Sequence, residues 1–522
     1  MSMDKNRPKS MASSAGAVSG ATALSRIMGL IREQVVAYFF GAGMLTDCFV
    51  AAFRIPNLLR DLFAEGALSS AFVPVFKDKL VNKGSQDAFQ LANLTISSLI
   101  VIVGCIVSLG IIFAPAFVYI SAKGFTSDPA KFDLTVNLTR LMFVYLLLVS
   151  ISAVIMGILN SHGKFGIPAL SPALFNIGMI LTPGLLYEYF NAPIYTLALG
   201  VLIGGVGQLV FQLPTLWQVG FRFRFMLNFA DEGIRRIGRL ISPMILGLSA
   251  SRINILINTL LASLLIEGAL SYLNFAYRLM HFPLGVFAVA LGTVTLPKAS
   301  EEVARNQPEK LAGTFHEAIG LGMFLVIPSA VYLAGFGEDL VRLIFQRGAF
   351  DAEATRQTAR ALFFYAFGLV GFAGVRVAAP VYYALGDSKK PMLYSIVAVA
   401  CNVGLNFAFI PLFGFSGLAA ATSMAGLVNL LLLVVNIRNK VDGIRYFSLI
   451  LQTAKMLLAA LAAYFLVSSV HFSALIGRFD LLGQILNVML QIAAMGLVYL
   501  ILLWLLRAEE IRRILSLLHD RK

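Results

Sequence analysis

The sequence predicts an all-α polytopic membrane protein of about fourteen transmembrane helices, arranged as two six-helix lobes related by a repeat plus two C-terminal helices. Three observations carry that prediction. Hydrophobic residues make up 58% of the chain and charged residues 13%, about half the charged share of an ordinary soluble domain, and the mean hydropathy is +0.83. Apolar runs long enough to cross a bilayer recur from end to end, and in lipid a helix satisfies its backbone within one segment. The basic residues punctuate these runs as topology signals do.

Taken in order on a length of about 20 apolar residues, the spans fall at roughly 13–39, 45–76, 89–116, 134–159, 166–188, 193–218, 234–265, 269–297, 312–336, 355–385, 391–412, 415–436, 447–470 and 483–506. The first two are long and interrupted. Residues 1–225 form the first lobe, 226–440 the second, and 441–522 the last two spans with an amphipathic tail. Lys77, Lys79, Arg235, Arg236, Lys389, Lys390 and the C-terminal cluster fall on one side, and few basic residues fall on the other. That bias puts both termini on the cytoplasmic side. Leu340, Leu343, Ile344 and Phe345 predict a short interfacial helix, and Asp351 an N-cap for the tenth span. In the tail, Ile511, Ile514, Leu515 and Leu518 share one face. The basic N-terminus lacks the compact apolar stretch of a cleaved signal peptide. Cys48, Cys105 and Cys401 lie in apolar stretches and read as small core residues without a disulfide framework.

The lobes carry a faint repeat. GMLTDCFVAAFRIP (Gly43–Pro56) resembles GALSYLNFAYRLMHFP (Gly268–Pro283), and GKFGIP (Gly163–Pro168) echoes GDSKKP (Gly386–Pro391). Segments two and eight then correspond, as do the turns before five and eleven. Transporters are commonly built from such repeats, with the substrate site near midplane. Gly29, Gly41, Gly43, Pro56 and Pro283 are candidate bending points.

Charges inside the spans carry the functional argument. Each costs about 2.5–3.5 kcal/mol at bilayer depth even on a lenient scale. Arg26 lies about fourteen residues from Phe40, roughly 20 Å along a helix; a cavity role competes with snorkelling there, and for Arg32 snorkelling requires an early helix end. Arg60 and Glu65 follow Pro56; a substrate role competes with an ion pair of Arg60 to Asp61 or Glu65. Asp47 fits a conformational lock or an N-cap as well as a substrate contact. Arg54 is a further charge in the second span, and Arg252 and Arg278 repeat the theme in the second lobe. Arg376 fits a partner or an inner-face residue, and His281 reads as a packing residue. Together the arginines outnumber Glu33, Asp47, Asp61 and Glu65. Their planar forks match phosphate oxygens in pairs, so the cavity suits a phosphate or pyrophosphate group.

Other functions fit poorly. The net charge of +14 belongs to the topology signals, so no nucleic-acid partner is expected. GxxxxGK[ST], HExxH, GxSxG and CxxC are absent from the sequence, so no catalysis, resident cofactor or metal is expected. Direction must then come from membrane potential, a coupling ion gradient, or consumption of product.

SRIMGLIRE followed by FGAGMLTDCFVAAFRIPNLLRDLFAEGALSSAFVP closely resembles the MurJ (MviN) lipid II flippases of the MOP transporter superfamily. RLMHFPLGVFAVALGTVTLP, FQRGAFDAEAT and LNSHGKFGIPALSPALFNI match as well. The resemblance implies a multi-pass protein of the bacterial inner (cytoplasmic) membrane. It implies movement of the undecaprenyl-pyrophosphate-linked peptidoglycan precursor, lipid II, from inner to outer leaflet by alternating access, with other cell-wall synthesis proteins as candidate partners. By resemblance Arg26, Arg32, Arg60 and Arg278 are substrate-binding, and Asp47, Glu65, Arg54 and Arg252 are gate or network residues. The last two spans correspond to a groove for the lipid tail. Tyr277 and His281 stand where some members carry acids, which puts an ion pair built on those acids, and a bound sodium, in doubt. An exporter of another polyprenyl-linked glycan or of cationic drugs is the alternative, and a scaffold for cell-wall enzymes is a third class. A cation exporter calls for carboxylates, and this cavity is basic.

Overall fold

The computed structural model describes residues 11–61, 67–470 and 480–511, and every regular element in them is helical. Glu65 and the tail beyond Ile511 lie outside the described residues. The chain packs as two compact units, Met1–Leu270 and Ser271–Lys522.

The first unit contains α1 (Met11–Phe40), α2 (Met44–Arg60), α3 (Ala67–Asn82), α4 (Ser85–Ile112), α5 (Ala114–Ser121), α6 (Pro129–Ser161), α7 (Gly166–Leu186), α8 (Tyr195–Val210), α9 (Leu213–Gln218) and α10 (Glu232–Ser263). Its hub is α6, against which α2, α3, α4 and α8 pack; α1 lies on α7, α7 on α8, and α10 on α3. Thus α10, grouped with the second lobe from sequence, packs among the helices of the first unit.

The second unit contains α11 (Ala269–Pro283), α12 (Val289–Ala304), α13 (Pro308–Gly335), α14 (Gly337–Phe345), α15 (Ala352–Ala384), α16 (Lys389–Phe413), α17 (Ser416–Ile437), α18 (Tyr446–Ser468) and α19 (Leu481–Leu505). Here α15 is the hub for α12, α13, α14 and α17, and α16 lies on α17. The most apolar windows of α6 and α15 are 67% and 61% buried, against 17% for α16; the two hubs face protein and α16 faces outward.

These packings form a repeat. In the first unit α2, α4 and α8 pack on α6, and α7 on α8. Six spans later α12, α13 and α17 pack on α15, and α16 on α17. The glycines that open the two matching turns, Gly163 and Gly386, both have left-handed backbones, φ +74° and +72°, where a side chain would be strained. The two extra helices, α18 and α19, pack on each other and on α13.

Helices cross closely where residues are small. A Cβ on Gly178 of α7 would lie 2.5 Å from the Gly204 nitrogen of α8, and one on Gly371 of α15 would lie 2.4 Å from the Gly426 carbonyl carbon of α17. Backbone contacts of this kind let dispersion hold apolar helices together in lipid.

Eleven helical spans, counted among the described residues, are long and apolar enough to cross a membrane. The three other expected spans correspond to α1, to α2 with α3, and to α10. These carry Arg26, Arg32 and Glu33; Asp47, Arg54 and Arg60; and Arg252. Arg278 and Arg376, by contrast, lie on spans apolar enough to cross, so the candidate charges fall on both kinds of helix. Both prolines lie close to a change in helix geometry. Asp61, just after α2 and five residues past Pro56, already has π geometry, and a π segment at Leu284–Ala288 follows Pro283. Proline lacks an N–H and crowds the carbonyl four residues back, and π turns are frequent at functional sites.

The short helix expected around Leu340–Phe345 is α14, and Asp351 caps α15 by accepting the Ala354 N–H at 2.7 Å. One expectation needs correction. Cys48 is buried, but Cys401 is only half-buried and Cys105 is exposed on α4. A small apolar thiol is as comfortable on a lipid-facing surface as in a core.

Candidate functional site

In the first unit, Arg32 of α1 is held toward α7. Its Nη1 donates to Asn176 Oδ1 at 3.1 Å, its Nη2 pairs with the Glu33 carboxylate, and its guanidinium lies 5.8 Å from the Phe175 ring centroid. Asn176 Nδ2 in turn donates to the Ser25 carbonyl at 3.1 Å. One buried amide thus orients the arginine and ties down the turn of α1 that carries Arg26. Arg26 itself is exposed.

At the end of α2, one carboxylate serves two cations. Arg60 Nη2 and Nε donate to Asp61 Oδ1 at 2.9 and 3.3 Å, and Arg252 Nη1 of α10 reaches Asp61 Oδ2 at 2.7 Å. The Asp61 side chain is 11% exposed and that of Arg252 31%. Among the described residues the buried Arg252 Nε has no hydrogen-bond partner. The triad carries a net positive charge, and a guanidinium with a spare buried donor is poised for an anionic acceptor. Arg54, one and a half turns before Arg60, is half-buried.

Asp47 does something else. It is buried, its Oδ2 accepts the Gly268 N–H at 2.7 Å, and Lys131 Nζ stands 3.7 Å away, 4.2 Å over the Phe125 ring. Glu267 Oε1 accepts the Met44 N–H at 3.1 Å at the start of α2. Two acids therefore cross between the N-terminus of α2 and the turn after α10, each on a backbone donor.

In the second unit, Arg278 of α11 and Arg376 of α15 are exposed. Tyr277 is 38% exposed and packs on His281, with ring centroids 4.1 Å apart, and on Tyr365 at 5.6 Å. The aromatic pair occupies the place where an acid was in question. The structure thus joins Arg60 with Arg252, leaves the side chains of Arg26 and Arg278 exposed, and gives Asp47 a backbone contact.

The comparisons with known proteins bear on what these charges serve. The family described as "Lipid II flippase MurJ" matches residues 36–489. The chain belongs to the MurJ family. A "Lipid II flippase MurJ" of Burkholderia cenocepacia is 36% identical over 428 residues, 81% of this chain and 83% of that protein. A "Probable lipid II flippase MurJ" of Buchnera aphidicola subsp. Schizaphis graminum is 35% identical over 487 residues, 92% of this chain and 94% of that protein. A solved MurJ structure in an inward closed conformation superposes with a TM-score of 0.78 at 26% identity, covering 93% of this chain and 97% of that one. An inward-facing multidrug resistance MATE transporter of the MOP superfamily shares the fold, with a TM-score of 0.65 at 16% identity, covering 82% of this chain and 98% of that one. MurJ proteins are transporters rather than catalysts, and this member is a multi-pass membrane protein.

Sequence reasoning missed Asn176, Glu267 and Lys131. Asn176 left a signal, a lone amide in the apolar run ALFNIGMI. Glu267 and Lys131 left none, because their partners are backbone groups or residues distant in sequence.

Proposed function

We propose that this protein translocates lipid II from the inner to the outer leaflet of the bacterial cytoplasmic membrane by alternating access. The guanidinium groups of Arg26, Arg32, Arg60 and Arg278 receive the pyrophosphate, and Arg54 and Arg252 complete the network around Arg60. The observation that carries this reading is the sharing of Asp61 by Arg60 and Arg252, beside an exposed Arg26 on a helix that also carries Arg32 and Glu33. Such a surplus is costly in a membrane unless an anion offsets it. The role of the site is to replace the head group's hydration, since bare hydrocarbon would exclude it. Asp47 locks backbone rather than binding substrate. The polyprenyl tail stays in lipid along α18 and α19. Both termini face the cytoplasm, no resident cofactor is needed, and membrane potential, an ion gradient or product removal sets direction.

The test is translocation in proteoliposomes of fluorescent lipid II, a polyprenyl-linked glycan of different sugar, and a cationic dye. Lipid II moves and the dye does not. Arg26→Lys and Arg278→Lys fail as the alanine forms do, because an ammonium cannot grip two phosphate oxygens in plane. Dye transport without lipid II transport would overturn the reading, and full activity of both lysine forms would remove the bidentate argument.

A further inference from the structure

Between α9 and α10 the chain runs without helix through residues 221–228 and is fastened along α4. Gly220 turns into the segment with φ +91°. Phe221 is buried edge-on against Phe89, ring centroids 5.6 Å apart. The N–H of Arg224 donates to Asn93 Oδ1 at 2.8 Å, and the N–H of Met226 to Ser97 Oγ at 3.0 Å. Phe89, Asn93 and Ser97 recur every four residues and form one stripe of α4. The segment therefore climbs about 12 Å along the first turns of a membrane-crossing helix.

What it presents is both basic and apolar. Arg222 and Arg224 are exposed, as are Phe223, Phe225 and Phe229 at 47%, 58% and 50%. The Arg222 guanidinium lies 5.7 Å from the Trp217 ring centroid. Arg235 and Arg239 are exposed on the first turns of α10. None of these four arginines has a carboxylate partner among the described residues. Of the acids on the adjoining elements, Asp78 is engaged with Arg236 at 2.8 Å and Asp231 with Lys79 at 3.7 Å, which leaves Glu232 and Asp87 against four cations.

Water disfavours three exposed phenylalanines, and hydrocarbon disfavours four arginines. The boundary of an anionic leaflet accepts both, with rings toward the acyl chains and guanidiniums on phosphates. A topology signal requires only charge; it requires neither the aromatics nor the hydrogen bonds that pin the strip. We propose that residues 222–229 and the first turns of α10 form a binding site for anionic phospholipid head groups.

The experiment titrates the purified full chain with phosphatidylglycerol and phosphatidylcholine and reads retained lipid by native mass spectrometry. A second reading uses Trp504→Phe, which leaves Trp217 as the remaining tryptophan of two, and measures its quenching by brominated forms of each lipid. Wild type retains phosphatidylglycerol in preference. R222Q/R224Q lowers that retention about 25-fold, about fivefold per arginine, and abolishes the preferential quenching of Trp217. R222K/R224K, which keeps the charge, recovers most of the preference. R438Q/R445Q, which removes charge elsewhere, changes neither reading. The proposal is overturned if R222Q/R224Q matches wild type, if R438Q/R445Q lowers retention equally, or if equimolar lipid II displaces phosphatidylglycerol from Trp217, which would make the strip a substrate contact.

Discussion

Asp61 Oδ2 lies 2.7 Å from Arg252 Nη1, joining the end of α2 to the middle of α10. The other oxygen of the same carboxylate is taken by Arg60. Asp61→Asn leaves two guanidiniums facing each other without the anion that separates them. For a fully buried pair the loss runs to about 3–5 kcal/mol; partial exposure here brings it to about 2 kcal/mol. Thermal unfolding in detergent should show that loss, while Arg252→Gln, which leaves Asp61 its Arg60 partner, should cost less. Equal losses would mean that the carboxylate is not shared in solution.

Asp47 and Gly268 give a second prediction. Asp47→Ala removes the acceptor for a buried N–H and leaves Lys131 without its counterion, a loss of about 1–3 kcal/mol. The Gly268 amide should exchange at least tenfold faster by hydrogen–deuterium exchange, with little change at Gly178. Unaltered protection at Gly268 would contradict the contact.

Close helix crossing is tested at Gly371. Its added Cβ would sit 2.4 Å from the backbone of Gly426, where nothing flexible can give way. Gly371→Ala should therefore destabilise by about 1–3 kcal/mol. Gly404→Ala on α16, with open space around it, should be neutral or slightly stabilising through helix propensity.

Acid sensitivity has a local source outside the spans. Lys440 donates to Asp387 Oδ2 at 2.8 Å and the Lys390 N–H to Oδ1 at 3.1 Å. These bonds, the Lys440 contact first, hold the Asp387 carboxyl below its ordinary range. A carboxyl lowered on folding adds stability above its unfolded pKa of about 3.9 and loses it as pH falls through the folded value. The melting-temperature difference between wild type and Asp387→Asn should be largest near neutrality and should close in acid. A difference constant with pH would rule out the charge as its cause.

Much of this was legible because a membrane imposes length and polarity on every helix. The fourteen expected segments all correspond to helices, the Asp351 cap lies where sequence put it, and a π segment follows Pro283, one of the expected bending points. The charges on α1, α2 and α10 were visible for the same reason, being anomalies against an apolar background. Their partners were not. Glu33 and Asp61 sit beside their arginines in sequence, but Arg252 joins Asp61 from about 190 residues away, and no local pattern encodes that pairing. Asp47 suits three roles in sequence because its backbone partner, the Gly268 N–H, has no side-chain signature.

The central claim is that surplus arginine inside the membrane receives a pyrophosphate. The most direct measurement compares lipid II translocation in proteoliposomes by wild type and by the variant with Arg26, Arg32, Arg60 and Arg278 all changed to Gln, with helicity and melting temperature checked in the same preparations. Translocation should fall to the level of empty vesicles in a variant that remains folded. A folded variant that moves lipid II at the wild-type rate would contradict the account.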